Sequence, residues 1–251
     1  MSGNDTHDNA TTKLRNLAEV LLDAARRAGA DQADALAIRG HSISIDVRGG
    51  ALEHADSADG TEIGLRVLVG GRQACVSGSD HDQATIDAMA SRAVAMAREA
   101  PVDDMLGLAD PDQLGPRRDA QGLQIADDLP DPTPAGLQDM ALRTEAATLS
   151  QPGISQVEAA NASFSRRQLW IAASNGFSGG YERSTHVISA VAITGEGLGM
   201  ERDYAAESRV WASDLPQPEE IGRLAAERTL ARAGSRKPPT GAFPIDRKSV
   251  V

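Results

Sequence analysis

Two successive stretches of this chain alternate apolar and polar residues and then turn at a pair of glycines. The first, "ISIDVRGGALEHAD", turns at Gly49-Gly50, and the second, "IGLRVLVGGRQACV", turns at Gly70-Gly71. Strict alternation is the period of a half-buried strand, and adjacent glycines supply the positive φ angles of a two-residue hairpin turn. Two such hairpins in succession predict an antiparallel meander.

Segments with helical periodicity surround these strands. We expect a first helix to be capped by Thr11 or Thr12 and to end at Gly29. A second begins near Asp80, whose spacing to Gln83 resembles a capping box. The chain therefore starts with a helix, a meander and a helix.

The second half repeats this outline. Thr133-Pro134 has the pattern of an N-cap followed by a first-turn proline, and two strands follow with a turn at Asn175-Gly176. Further strands lead to a closing helix with Glu219 and Glu220 in its first turn and basic residues near its end. The predicted fold class is α+β, with antiparallel β-meanders flanked by helices in two successive α+β units.

These patterns divide the chain into five segments. We expect a disordered N-terminus at residues 1–10, a first α+β domain at 11–100, a linker or surface wrap rich in proline and aspartate at 101–134, a second α+β domain at 135–236, and a final segment at 237–251.

Composition excludes several function classes. The net charge of −11 argues against binding to nucleic acid or to an anionic membrane. No apolar run reaches the roughly 20 residues of a membrane helix, and the polar N-terminus has no signal-peptide core, so we expect a cytoplasmic protein. The single cysteine, Cys75, cannot form an internal disulfide and lies in a predicted strand, where we expect a buried, inert thiol.

One serine has the spacing of a nucleophile. Ser178 lies in Gly-Phe-Ser-Gly-Gly, which fits G-x-S-x-G, and His186 follows it closely. That motif requires a helix after the serine, whereas the residues that follow alternate as a strand does. Turn glycines are therefore the preferred interpretation, and a serine hydrolase using Ser178 and His186 is kept as an alternative.

Metal and nucleotide motifs are incomplete. The chain has five histidines and no H-E-x-x-H, and Asp80, His81 and Asp82 lie together at a helix cap. Gly195, Gly197 and Gly199 are followed by a strand pattern and not by the helix of a dinucleotide-binding loop. We expect no metal or cofactor site in this chain, which favours a binding or partner subunit.

Three stretches together resemble the TldD/PmbA family of bacterial metallopeptidases, on the PmbA (TldE) side. They are "GTEIGLRVLVGGRQACVSGSD", "ISAVAITGEGLGMERDYAAESR" and "EEIGRLAAERTLARAGSRKPPTG". The order and spacing of these stretches resemble the family over roughly residues 14 to 244.

The resemblance implies one subunit of a heterodimeric metalloprotease that admits unfolded peptides and takes part in peptide maturation. The zinc motif, H-E-x-x-x-H, would lie in a TldD-type partner subunit, so no catalytic or metal-binding residue is carried over to this chain. The alternatives are the serine hydrolase and a peptide-binding scaffold without a link to proteolysis.

The resemblance also implies a third domain. In the family a strand follows the T-G linker, and here "FPI" begins such a strand before "DRKSVV" departs from it. We therefore expect residues 237–251 to be the truncated start of a C-terminal domain and to be poorly ordered or only loosely docked.

Overall fold

The structure of this chain, a computed structural model, describes residues 3–244. Its helices are α1 (Gly3–Ala28), α2 (Gln83–Glu99), α3 (Pro134–Leu149) and α4 (Pro218–Leu230). Its strands are β1 (Gln32–Arg48), β2 (Ala51–Val69), β3 (Arg72–Gly78), β4 (Ile154–Ala173), β5 (Ser178–Thr194) and β6 (Glu201–Arg209).

The six strands form one antiparallel sheet in the order β3-β2-β1-β4-β5-β6. The two halves of the chain meet where β1 pairs with β4, from Asp34 opposite Ala173 to Val47 opposite Ala160. The predicted α+β class with antiparallel meanders is confirmed. The two predicted units are joined in a single sheet, because pairing β1 with β4 removes a free edge from each meander.

All four helices pack on the same face of this sheet. The pair α1 and α2 covers one half over a core of alanines and branched residues, and α3 and α4 cover the other half over a second core. Largest among the buried side chains are Phe164, Leu21, Ile63 and Leu65. No helix of residues 3–244 covers the opposite face, which we call the open face.

The glycine turns have the predicted geometry. Gly49 and Gly50 have φ angles of 62° and 75°, and Gly70 and Gly71 have φ angles of 54° and 71°. A four-residue connection between β4 and β5 contains Gly176, with a φ of 91°. Local turn chemistry therefore fixes where these strands end.

The cap of α3 follows the sequence, and the cap of α2 differs from it by two residues. Thr133 caps α3 by accepting a hydrogen bond from the Gly136 amide at 3.1 Å. In α2 the cap is Asp82 and not Asp80, because the Asp82 carboxylate accepts from the Thr85 amide at 2.8 Å. Asp80 instead accepts from the amide of Asp82 at 3.2 Å.

The first helix differs from the prediction. It begins at Gly3, whereas we expected disorder through residue 10 and a cap at Thr11 or Thr12. No proline or glycine follows Gly3 before the packed part of the helix, so nothing in the sequence stops the helix from extending towards the N-terminus.

Residues 101–134 form a surface wrap. Apart from one 3₁₀ turn and Pro134, which begins α3, the segment is irregular, yet it is hydrogen-bonded to both halves of the chain. The Asp103 amide donates to the Gly71 carbonyl at 2.8 Å, and the Gln124 carbonyl accepts from Trp211 Nε1 at 3.0 Å. The segment is therefore held against the sheet along its length.

Two further expectations concern exposure. Cys75 is exposed and not buried, because β3 is an edge strand and Cys75 pairs with Arg66 on the open face. Residues 237–244 are exposed and have no helix or strand, and 245–251 lie outside the described residues, so the docking of this segment stays a prediction. None of the described helices is both long and apolar enough to cross a membrane.

Candidate functional site

Polar side chains lie in the middle of the helix-covered face, between the two apolar cores. We call them the central polar cluster. In the strand register, Arg166 of β4 lies opposite His41 of β1 and Ser184 of β5. Residues opposite each other on neighbouring strands point to the same face of a sheet, so these side chains lie together. Its members are His41, Asp127, Asp131, Arg166, Gln168, Glu182, Ser184 and His186.

Arg166 lies at the centre of this cluster. Its guanidinium donates to Asp131 at 2.8 Å, to Glu182 at 2.5 Å and to the carbonyl of Asp127 at 3.1 Å. Burial alone would lower the pKa of Arg166, but the hydrogen bonds to Glu182 and Asp131 outweigh it and raise that pKa. Arg166 therefore stays charged and ties the wrap to the sheet.

Asp127 is a buried carboxylate with a full set of donors. It accepts from the amides of Ala212 at 2.8 Å and Leu129 at 3.0 Å. Burial would raise the pKa of Asp127, but these hydrogen bonds and the charges of His186 and Arg166 hold that pKa below its usual range. Asp127 is therefore ionised at neutral pH.

His186 faces this carboxylate. Its Nε2 lies 3.2 Å from Asp127 Oδ2, although the approach is too bent for a good hydrogen bond. The ring also packs on Phe164, with centroids 4.8 Å apart. Burial lowers the pKa of His186 despite the opposing effect of Asp127, so the imidazole is neutral at pH 7.

Two clefts lie near β2, one beside the cluster and one on the open face. A cavity of about 160 Å³ lies beside it, lined by Arg39, Gly40, His41, Asp59, Arg166 and Gln168. A second, of about 350 Å³, lies where Gly40 of β1 pairs with Gly60 of β2. The paired glycines leave room there because neither has a side chain to fill the space.

The predicted serine nucleophile and its predicted base lie far apart. Ser178 and His186 lie eight residues apart on β5, a separation of roughly 26 Å along an extended strand. Ser178 Oγ instead accepts from Trp170 Nε1 at 3.0 Å, and a strand follows the serine. The serine-hydrolase alternative is therefore wrong, and the turn interpretation is supported.

The other sequence candidates are structural. His81 is exposed beside the α2 cap, with Nδ1 3.4 Å from the Ser79 carbonyl. Gly195 and Gly197 have positive φ angles in the connection from β5 to β6, where Gly197–Gly199 forms a 3₁₀ turn. A strand follows this connection, as predicted, so it is not a dinucleotide-binding loop.

Sequence reasoning named His186 but missed its surroundings. Asp127 lies in the proline- and aspartate-rich wrap, and Arg166 lies in a strand whose alternation marks it only as polar. The register between β4 and β5 brings Arg166 beside Glu182, and no local pattern encodes that pairing.

Comparison with family models matches both halves of the chain. Residues 33–97 match the PmbA/TldA metallopeptidase domain 1, and residues 127–233 match the PmbA/TldA metallopeptidase central domain. The metalloprotease PmbA of Escherichia coli O157:H7 is 28% identical over 216 residues, which are 86% of this chain and 47% of that protein. The chain thus spans about half the length of this relative.

Solved structures share the fold. A Bacteroides thetaiotaomicron protein named as a candidate modulator of DNA gyrase is 23% identical, with a TM-score of 0.76 over 88% of this chain and 50% of its own. TldE from Thermococcus kodakarensis is 14% identical, with a TM-score of 0.67 over 85% of this chain and 47% of its own.

The family name implies a metal, and the described residues do not fit one. Among residues 3–244, no three His, Cys, Asp or Glu side chains form a group that could hold a metal ion. In the central polar cluster, His41 and His186 both pack against Phe164, and the Arg166 cation lies 5.6 Å from that ring. A guanidinium repels a metal cation and already occupies the nearby carboxylates.

The order of the two matched domains, the relative in E. coli and the shared fold agree with one another. The protein therefore belongs to the PmbA/TldD family of metallopeptidases, on its PmbA/TldE side.

Proposed function

We propose that this chain is the non-metal-binding subunit of a heterodimeric TldD/PmbA-type metalloprotease that cleaves unfolded peptides. The observation that carries the proposal is the central polar cluster. Its carboxylates are committed to Arg166 and to backbone amides, at 2.5–3.0 Å for Glu182, Asp131 and Asp127. Such carboxylates stabilise the sheet and the wrap, and they are not free to ligate zinc.

Zinc would then be supplied by a TldD-type partner subunit in the cytoplasm. The role of this chain is to shape the cleft that admits the peptide and to hold the partner. Its fold likeness to TldE supports this assignment, and so does the family match in both halves of the chain.

Co-expression with a TldD-type subunit from the same genome tests the proposal. We expect the two chains to co-elute in size-exclusion chromatography as a 1:1 complex, with one zinc per complex by elemental analysis. Zinc bound in stoichiometric amount by this chain alone, or elution of the two chains as separate species, would contradict it.

A further inference from the structure

The first half of β2 has a free edge. β3 pairs only with Ile63–Val69, so residues 51–62 have a neighbouring strand on the β1 side alone within the described part of the chain. Every residue from Ala51 to Gly60 is exposed. A strand edge of this length presents backbone N–H and C=O groups that a further strand can pair with.

The hairpin turns show which residues present those groups. A two-residue turn makes the flanking residues, here Val69 and Arg72, a hydrogen-bonded pair. Hydrogen bonding then alternates along β2. From Ala55 to Val69, the backbone N–H and C=O groups of odd-numbered residues therefore point away from β1. Counting from the other turn gives the same result, because the register shift near Asp46 places one extra residue in β2. The outward residues are Ala55, Ser57, Asp59 and Thr61.

Cavities flank this edge on both sides of the sheet. On the helix side, a cavity of about 580 Å³ is lined by apolar residues of α1 and α2, among them Leu14, Leu17 and Ile86, and by Thr61 of β2. On the open face, the cavity of about 350 Å³ at Gly60 is lined by Glu62. An added strand would direct successive side chains alternately into these two spaces.

Charge distinguishes the two sides further. Residues 51–62 carry four carboxylates, on Glu53, Asp56, Asp59 and Glu62, and no lysine or arginine. Arg48 lies 3.6 Å from Glu53 and Arg39 lies 3.9 Å from Asp59, both on the neighbouring strand. Asp56 and Glu62 face the open side. His54 Nε2 lies 3.9 Å from Asp56, and Arg167, two strands away from β2, lines the same cavity as Glu62.

We propose that the free edge of β2 binds an extended peptide segment in which lysine or arginine alternates with apolar residues. The basic side chains lie beside Asp56 and Glu62 on the open face, and the apolar ones enter the cavity between α1 and α2. The inference rests on the proposed function for the class of ligand, an unfolded peptide, and it adds the binding surface and the preferred pattern.

A second copy of this chain is a poorer occupant. Pairing two β2 edges would bring carboxylates of both copies together, and like charges on adjoining strands are destabilising. A peptide with lysine or arginine on one face neutralises the same carboxylates. Charge complementarity therefore favours a basic peptide over self-association.

Fluorescence anisotropy with the chain alone tests this inference. The probe is a labelled seven-residue peptide of alternating lysine and valine, compared with a version carrying glutamate for lysine and a version N-methylated at every second residue. We expect the lysine–valine peptide to bind and the glutamate peptide to bind at least tenfold more weakly. We expect the N-methylated peptide also to bind at least tenfold more weakly, because it lacks the backbone N–H groups that would hydrogen-bond to β2.

A matched pair of variants locates the site. Ser57→Pro removes one outward amide without removing a bond to β1, and we expect at least tenfold weaker binding with an unchanged circular dichroism spectrum. Ser57→Ala keeps the amide and should bind within twofold of the parent chain. If Ser57→Pro fails to fold, the comparison of the unmodified and N-methylated peptides on the parent chain tests the inference instead.

Three outcomes would overturn the inference. They are equal binding of the parent and N-methylated peptides, unaltered binding by a folded Ser57→Pro variant, and a dimer of the chain that Ser57→Pro converts to monomer. Binding at this edge without co-elution with a TldD-type subunit would keep the inference and reject the proposed function. Co-elution with a TldD-type subunit without peptide binding at this edge would reject the inference and keep the proposed function.

Discussion

Glu145 on α3 accepts a hydrogen bond from the backbone amide of Gly49, in the turn between β1 and β2, at 2.6 Å. The second carboxylate oxygen accepts from the amide of Gly50 at 2.8 Å. Glu145 is buried, with 2% of its surface exposed. A helix of the second half of the chain thus holds a hairpin turn of the first half.

Replacing Glu145 by glutamine should destabilise the fold by about 1–3 kcal/mol, because the amide NH₂ would face a backbone N–H that then lacks an acceptor. Urea unfolding measures this difference. The control is Glu158→Gln, a partly exposed residue of β4 that lies 3.0 Å from Arg202 of β6, two strands away, where we expect less than about 1 kcal/mol. Equal effects of the two substitutions would contradict the assigned role of Glu145.

Acid should weaken the fold through His186. Its pKa is lowered from 6.5 by burial in the folded state, so the unfolded chain takes up that proton first. The contribution of neutral His186 to the stability of the fold is complete above about pH 6.5 and is lost as the pH falls below that value. The pKa of Asp127 is lowered from 3.8, which adds a further loss as the pH falls below that value.

Urea midpoints at pH 7.5, 6.0 and 5.0 measure this dependence. In His186→Asn, which does not titrate in this range, we expect a flatter profile than in the parent chain. His54→Asn, at an exposed position on β2, serves as the control and should keep the parent profile. A parent chain that becomes more stable as the pH falls from 6.5 to 5 would contradict the predicted direction of this pH dependence.

The second glycine turn offers a test of backbone conformation. Gly71 has a φ of 71°, which costs an L-residue about 1–2 kcal/mol, so Gly71→Val should lower stability by roughly that amount. Gly78→Val is the control, since Gly78 lies in β3 with a φ outside the left-handed region, and a Cβ added there would have no atom within 4 Å. Equal melting temperatures for the parent and Gly71→Val chains would argue against the turn.

The geometry of β5 also predicts a chemical result. His186 is out of reach of Ser178, which accepts from the Trp170 indole at 3.0 Å, so this histidine cannot activate the hydroxyl. A fluorophosphonate probe should leave the chain unlabelled, and Ser178→Ala should give the same trace in mass spectrometry. Stoichiometric labelling that Ser178→Ala abolishes would restore the serine-hydrolase alternative.

Local features of the fold were predictable from the sequence because they depend on neighbouring residues. The glycine turns at Gly49-Gly50 and Gly70-Gly71 and the Thr133 cap each need only a few adjacent positions. The end of the first helix near Gly29 was equally local, and α1 ends at Ala28.

Non-local features were not predictable in the same way. The pairing of β1 with β4 joins residues such as Ile43 and Phe164, more than a hundred positions apart, and no periodicity encodes it. The same holds for Glu145 at the Gly49 turn and for Asp127 beside His186. Cys75 was misassigned because a strand pattern does not reveal which strand lies at an edge.

Our proposal is that this chain is one subunit of a zinc protease and that the zinc is held by its partner subunit. Hydrolysis of an unfolded fluorogenic peptide should be measured for this chain alone, for a TldD-type subunit alone and for the mixture, each with and without a chelator. We predict that the mixture cleaves the peptide, that the chelator abolishes cleavage, and that this chain alone is inactive. Chelator-sensitive cleavage by this chain in the absence of any partner would contradict the account.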